Sequence, residues 1–311
     1  MSFGVVALAA VALLLALPFI AELFRAPMTA ARQSRAPGRI ADLPMGATHY
    51  TWSGPEGAPV AVCIHGLSTP SYVFAATERH LAGMGFRVLT FDLYGRGYSD
   101  RPRGAQTLDF FLQQLRDLLR HQKVGGPLVL VGFSLGAQIA IAFASEEGPR
   151  VRDLVLVAPA GLNVGKQNGF DPWTAPLIGD WLTRVAGGWM LRRELIEHKV
   201  NATVIPDLED RQAAETRTRG FLPALLSSRR HVLTTSSAED LRHIHHIRTR
   251  TLAIWGTLDP VVPSSLMGRL AELHPDAHHV QISGAAHNLL QTHPTQVAQA
   301  LDGFLTRNTV T

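Results

Sequence analysis

Short apolar runs recur along this chain, with longer periodically apolar stretches between them. Residues 60–64, 86–91, 128–132, 154–157, 251–255 and 279–282 have the length and composition of buried strands. Residues 71–84, 108–122, 135–145 and 295–305 read as helices. In the second of these, Leu108, Phe111, Leu112, Leu115, Leu118 and Leu119 share one face. Strand and helix in alternation predict a parallel sheet with helices on both faces. One stretch departs from the rhythm. Between Ala158 and Arg250 the pattern is helical with no strand, punctuated by Pro172, Pro176, Pro206 and Pro223 and carrying Trp173, Trp181, Trp189 and Phe221. We read residues 160–248 as a helical cap inserted into a core formed by 48–159 and 249–311.

The N-terminus follows neither pattern. No charge occurs from Phe3 to Ala21, and Glu22 is the first. These residues would rise about 28 Å as a helix, enough to cross most of a hydrocarbon core. A cleaved signal peptide is the competing reading. It asks for a basic start, whereas residues 2–10 hold no Lys or Arg, and for small residues at the cleavage site, whereas Phe19-Ile20-Ala21 is bulky. A later site at Thr29-Ala30-Ala31 lies far from the apolar run, and a buried core helix would show polar breaks. The expectation is therefore a membrane anchor at 1–21 and an Ala-, Arg- and Pro-rich linker at 22–47. Arg25, Arg32, Arg35 and Arg39 all follow the run, which puts the C-terminal part on the cytoplasmic side. A signal peptide would make it periplasmic or secreted.

Composition narrows the picture. Of 311 residues, 46% are hydrophobic and 17% charged, which supports a sizeable core and argues against disorder. The net charge of +4 comes mostly from arginine, the only lysines being Lys123, Lys166 and Lys199. No basic run with interleaved aromatics points to nucleic acid. Cys63 stands alone in an apolar run, so it forms no internal disulfide and reads as a small core residue.

The chemistry is concentrated at the ends of the predicted strands. Gly132-Phe133-Ser134-Leu135-Gly136 fits G-x-S-x-G, directly after one strand and directly before an Ala-rich helix. A chance Gly-Ser loop would lack that context. A serine hydroxyl needs a base, and the base needs an orienting acid. Asp259 follows the strand at 251–255 and His287 follows the strand at 279–282, so all three fall on the carboxyl edge of the sheet, where sites gather in open α/β folds. Asp259 could instead be a turn residue before Pro260, and His287 a loop histidine. The order and placement favour the chemical roles. An oxyanion needs two donors. Leu135 N–H is one, and Leu67 N–H, in the loop after the first strong strand, is the other, with Ser68 as second choice. His65 precedes the nucleophile and reads as a support of that loop. His243-Ile244-His245-His246 resembles a metal tract, but no carboxylate or Cys stands beside it at a ligand spacing, so we read a polar surface turn. Gly95 and Gly97 read as a tight turn, not as a phosphate loop. Neither a metal nor another cofactor is called for.

Together His65-Gly66, Asp92 to Ser99, the serine pentapeptide, Asp259 and His287 resemble the α/β-hydrolase superfamily over residues 50–307. The resemblance implies the α/β-hydrolase fold, a mostly parallel central sheet flanked by helices with a helical cap. It also implies a serine hydrolase that cleaves carboxylic esters through an acyl-enzyme. With the N-terminal run, the layout looks like the membrane-anchored monoacylglycerol lipases, and a small, mainly apolar ester is the implied substrate. The superfamily contains other chemistries. Epoxide hydrolases and haloalkane dehalogenases use an aspartate where this chain has Ser134, and epoxide hydrolases also use cap tyrosines, whereas Tyr50, Tyr72, Tyr94 and Tyr98 lie outside the cap. Carbon–carbon bond hydrolases share the serine triad but commonly carry tryptophan where Asn288 stands. They remain the alternative, followed by a non-catalytic binding scaffold.

Overall fold

The computed structural model describes residues 2–162, 171–197 and 203–306. Its strands are β1 (Arg39–Leu43), β2 (Gly46–Ser53), β3 (Val60–Ile64), β4 (Arg87–Phe91), β5 (Leu128–Phe133), β6 (Val151–Val157), β7 (Arg250–Gly256) and β8 (His278–Ile282). Its α-helices are α1 (Phe3–Leu23), α2 (Ala30–Gln33), α3 (Ala75–Gly83), α4 (Leu108–His121), α5 (Leu135–Glu147) and α6 (Ile178–Glu197), followed by α7 (Leu208–Thr216), α8 (Phe221–His231), α9 (Ala238–His246), α10 (Met267–Leu273), α11 (Leu289–Thr292) and α12 (Pro294–Leu305).

Among the described residues the strands form one eight-stranded sheet in the order β1-β2-β4-β3-β5-β6-β7-β8. β2 runs antiparallel to both β1 and β4, and the remaining pairs are parallel. The central strands are apolar on both faces because helices cover both. Ala61 to Ile64 and Leu128 to Phe133 are all buried. α5 lies against β5 and β6 and is itself covered by α4 and α9, so its residues 135–144 are all buried and it reads as apolar all round. α4 has only one buried face and begins with a side-chain cap, Thr107 Oγ1 accepting from Phe110 N at 3.2 Å. This is the α/β-hydrolase arrangement, a mostly parallel sheet flanked by helices, in agreement with the expectation.

The sheet starts earlier than the apolar pattern suggests. β1 and the beginning of β2 fall within the 22–47 stretch read as a linker, and the folded core begins at Arg39. Only Ala41 and Leu43 of β1 are buried, while Arg39 and Asp42 face outward, so this edge strand shows no apolar run. The preceding residues are bonded to the helices between β6 and β7. Ala26 N donates to Arg217 O at 3.0 Å and Arg219 N to Ala26 O at 2.9 Å, and Gly220 N donates to Glu22 Oε2 at 3.0 Å.

Between β6 and β7 the described residues hold α6, α7, α8 and α9. Residues 163–170 and 198–202 of the segment read as a cap lie outside the described residues. Phe221, Leu222 and Leu225 of α8 form a small apolar cluster with Leu67 and Leu191 packed against it. α8 thus sits directly on the loop that follows β3.

α1 is long and apolar enough to cross a membrane, with a mean hydropathy of 2.7. Its residues up to Leu15 are exposed, and Pro18 is its one buried residue. The second half packs against α6, where Trp181 Nε1 donates to Leu14 O at 2.8 Å.

Candidate active site

Ser134 stands at the junction of β5 and α5 with φ of +54°. A residue with a side chain adopts that region only when its surroundings hold it there, at a cost of about 1–3 kcal/mol. Backbone bonds fix it, the shorter ones as follows. Ser134 N donates to Val157 O at 2.9 Å, and Ser134 O accepts from Ala137 N at 3.0 Å and Ala160 N at 3.2 Å. The flanking glycines permit the turn. A Cβ on Gly132 would lie 2.5 Å from Ala137 Cα, and one on Gly136 only 2.0 Å from the Ile64 carbonyl oxygen. Both clashes are with backbone, which cannot swing aside. Gly136→Ala is therefore expected to lower the thermal midpoint, corresponding to roughly 1–3 kcal/mol. An unchanged midpoint by circular dichroism would contradict the packing described.

The loops after β7 and β8 bring Asp259 and His287 to this turn. They are tied to each other: Thr257 N donates to Ile282 O at 3.1 Å, Leu258 N to Ala285 O at 2.9 Å, and Gly284 N to Thr257 Oγ1 at 2.9 Å. His287 Nε2 lies 3.0 Å from Ser134 Oγ, and His287 Nδ1 lies 2.8 Å from Asp259 Oδ2. The second carboxylate oxygen, Asp259 Oδ1, accepts from Val261 N and Val262 N, each at 2.8 Å. Since a carboxylate only accepts, Nδ1 carries the proton and Nε2 faces the hydroxyl as the acceptor. The Asp259 side chain is wholly buried, that of His287 is 24% exposed, and the His287 ring rests on Phe133 at 5.2 Å.

Leu135 follows the serine in the chain, and Gly66, just before Leu67, lies close to it, since a Cβ there would stand 3.3 Å from Ser134 Cβ. Leu135 opens α5, so its N–H has no intrahelical acceptor. Leu67 follows β3, and its carbonyl is held by Arg96 Nε at 3.0 Å. His65 supports the same loop. Its Nδ1 bonds Gly66 O and its Nε2 accepts from Leu93 N, each at 2.8 Å. Burial pushes its pKa down to about 4, against the opposing pull of Asp92, so it stays neutral at pH 7.

Two features beside the site are not visible in the sequence pattern. Arg96 is fully buried and bonds Tyr94 O at 2.9 Å, Ser228 Oγ at 2.8 Å and Gln106 Oε1 as well as Leu67 O. Asp92 is a buried hub that accepts from Ser71 N at 2.9 Å, Ser71 Oγ at 2.6 Å and Tyr98 N at 2.9 Å, and bonds His49 Nδ1 at 2.8 Å. Burial alone would raise the Asp92 pKa, but the His49 bond and charge pull it well below the usual carboxylate range. Burial likewise works against a charged His49, yet Asp92 and the Pro37 carbonyl raise its pKa above the ordinary 6.5. Both partners of the ring only accept, so both ring nitrogens donate.

The sign of the resulting pH dependence follows. A raised histidine contributes fully below 6.5 and loses that contribution as pH rises through its folded value. The wild-type urea midpoint should therefore fall, as pH rises above 6.5, more steeply than that of His49→Gln. Parallel curves would remove His49 from the stability of this hub.

The histidine tract at 243–246 is helix rather than a surface turn. It forms the last turn of α9, with Ile244 buried against the core because the helix carries one apolar face. His245 Nδ1 lies 3.1 Å from Asp276 Oδ2, at a cavity of about 570 Å³ on the edge of the sheet opposite Ser134. Among the described residues no group of three His, Cys, Asp or Glu could hold a metal ion.

A family profile described as "Alpha/beta hydrolase family" matches residues 61–300. A cis-3-alkyl-4-alkyloxetan-2-one decarboxylase of Xanthomonas campestris is 25% identical over 305 residues, covering 90% of this chain and 99% of the relative. A probable 1-acylglycerol-3-phosphate O-acyltransferase of Oryza sativa is 25% identical over 170 residues, 53% of this chain, and the match spans only 38% of that longer protein. Among solved structures, a thermophilic esterase from Thermogutta terrifontis superposes with a TM-score of 0.71 at 22% identity, covering 88% of this chain and 99% of its own.

Proposed function

Because this chain belongs to the alpha/beta hydrolase family, we propose that it hydrolyses carboxylic esters at Ser134, with His287 as base and Asp259 as the acid that orients it. The observation that carries the reading is the continuous relay from Asp259 Oδ2 to His287 Nδ1, 2.8 Å, and from His287 Nε2 to Ser134 Oγ, 3.0 Å.

Ser134 Oγ attacks the ester carbonyl while His287 Nε2 takes its proton. The Leu67 and Leu135 N–H groups receive the developing oxyanion. The tetrahedral adduct collapses as His287 protonates the departing alcohol, leaving an acyl group on Ser134. A water deprotonated by His287 then releases the acid and restores the serine. No step calls on a metal or cofactor. The name of the Thermogutta esterase supports an ester substrate, and the Xanthomonas relative, although named a decarboxylase, is named for acting on an oxetan-2-one, a cyclic ester. The substrate class we favour is a mainly apolar acyl ester, because α1 would hold the protein at a lipid surface where such esters partition. The arginines that follow α1 favour a cytoplasmic catalytic part.

A fluorophosphonate probe tests the reading. An adduct on Ser134 with concurrent loss of nitrophenyl-ester hydrolysis is expected. Absence of labelling on folded protein would refute an armed serine and leave a binding scaffold. Turnover of a vinylogous diketone in preference to any ester would instead assign carbon–carbon bond hydrolysis. N-terminal sequencing of the mature protein tests the anchor, since a start at or after Ala21 would mean that α1 is removed.

A further inference from the structure

α1 is docked in a way that constrains where the rest of the chain lies relative to a membrane. The helix of 21 residues is about 31 Å long, the thickness of a hydrocarbon core. Its fully exposed part, Phe3 to Leu15, reaches only about 20 Å, roughly 10 Å short, and even there Leu14 O already meets Trp181. The remainder lies on α6, with Pro18 buried and Ala16, Leu17 and Ile20 half-buried. The docking is stapled at its far end. Arg219 Nη2 donates to Leu23 O at 2.6 Å and Arg219 Nε to Glu22 O at 3.0 Å, while Arg25 Nη2 donates to Arg184 O at 2.6 Å. If α1 crosses a bilayer in this attitude, the start of α6 enters with it, because Trp181 meets α1 at Leu14. That position is nine residues, or about 14 Å, inside the end of the helix.

The surface of α6 suits that position. Leu177, just before the helix, is 84% exposed, and Ile178, Val185 and Trp189 on its outer face are 50%, 36% and 60% exposed. The charges in the first two turns of the helix are paired. Asp180 pairs with Arg184 at 2.9 Å and with Arg230 at 2.8 Å. Farther along, the Arg193 guanidinium stands 5.6 Å from the Trp189 ring, an aromatic and a cation of the kind found at the headgroup level.

We propose that the N-terminal end of α6, with Leu177 and Ile178, enters the near leaflet of a lipid bilayer beside the docked half of α1, with Val185 and Trp189 closer to the headgroups. This rests on α1 as a retained anchor and is independent of the reaction assigned to Ser134. The occupant is lipid rather than a partner protein, because the patch is continuous with a helix whose length and hydropathy match a bilayer.

The test uses the full chain in phosphatidylethanolamine–phosphatidylglycerol vesicles. Leu177→Cys, Ile178→Cys and, as a control on α10, Glu272→Cys are labelled with a nitrobenzoxadiazole fluorophore. Cys63 is buried and stays unlabelled. Residues 177 and 178 should show blue-shifted emission and about twofold quenching by lipids brominated along the acyl chain, as expected for a group well inside the interface. The control should show neither. Leu177 is so exposed that its replacement leaves the fold intact, so two positions guard against a misfolded variant. If the protein floats with the vesicles but 177 and 178 behave like 272, the proposal falls and the anchor stands. If it does not float, both fall. Hydrolysis enters neither readout.

Discussion

Ser134→Ala is expected to reduce nitrophenyl-ester hydrolysis by about 10⁴-fold or more, with the thermal midpoint unchanged. Removing the hydroxyl removes the nucleophile, and the residual rate would come only from the oxyanion donors and from substrate binding. The backbone turn is held by Val157, Ala137 and Ala160 rather than by the side chain, so the fold should not register the change. A variant retaining more than about a tenth of wild-type activity would move the nucleophile elsewhere.

Asp259→Asn should be nearly as costly, roughly 10⁴-fold in kcat with KM little altered. The reason is the tautomer. An asparagine amide presented to Nδ1 donates, so the imidazole proton is driven to Nε2 and the face toward Ser134 Oγ loses its acceptor. Val261 N and Val262 N still need an oxygen, which the amide supplies, so the loop remains in place. A wild-type rate would send the search to another acid, and the end of β6 offers Ala158-Pro159 rather than a carboxylate. A proportionate loss in binding instead of turnover would indicate a disturbed loop.

Much of this was legible because the candidate residues stand at strand ends. β3 and β5 are buried on both faces, so they appear as unbroken apolar runs, and the residues just beyond them inherit a known side of the sheet. That is why Ser134, Asp259 and His287 could be singled out together from sequence and are found within hydrogen-bond reach. β1 escaped because an edge strand with two inward residues carries no run, and α10 because it is short. The His49–Asp92 hub and the contacts of Arg96 escaped for another reason. Their partners lie far apart in the chain, Arg96 and Ser228 being separated by 132 positions, and no local pattern reports a meeting of that kind. The histidine tract misled because polar spacing on the outer face of a helix imitates a turn, while Ile244 alone marks the inner face.

The buried guanidinium of Arg96 also pins one helix of the insertion to the core. It is shared between the loop at Leu67, the turn at Tyr94, Gln106 and Ser228 of α8. Sliding α8 over the core would strip a desolvated cation of an acceptor, a loss of several kcal/mol. α8 is therefore held on the core at Ser228, so the helical insertion cannot slide as a whole without first giving up a bond to a buried cation.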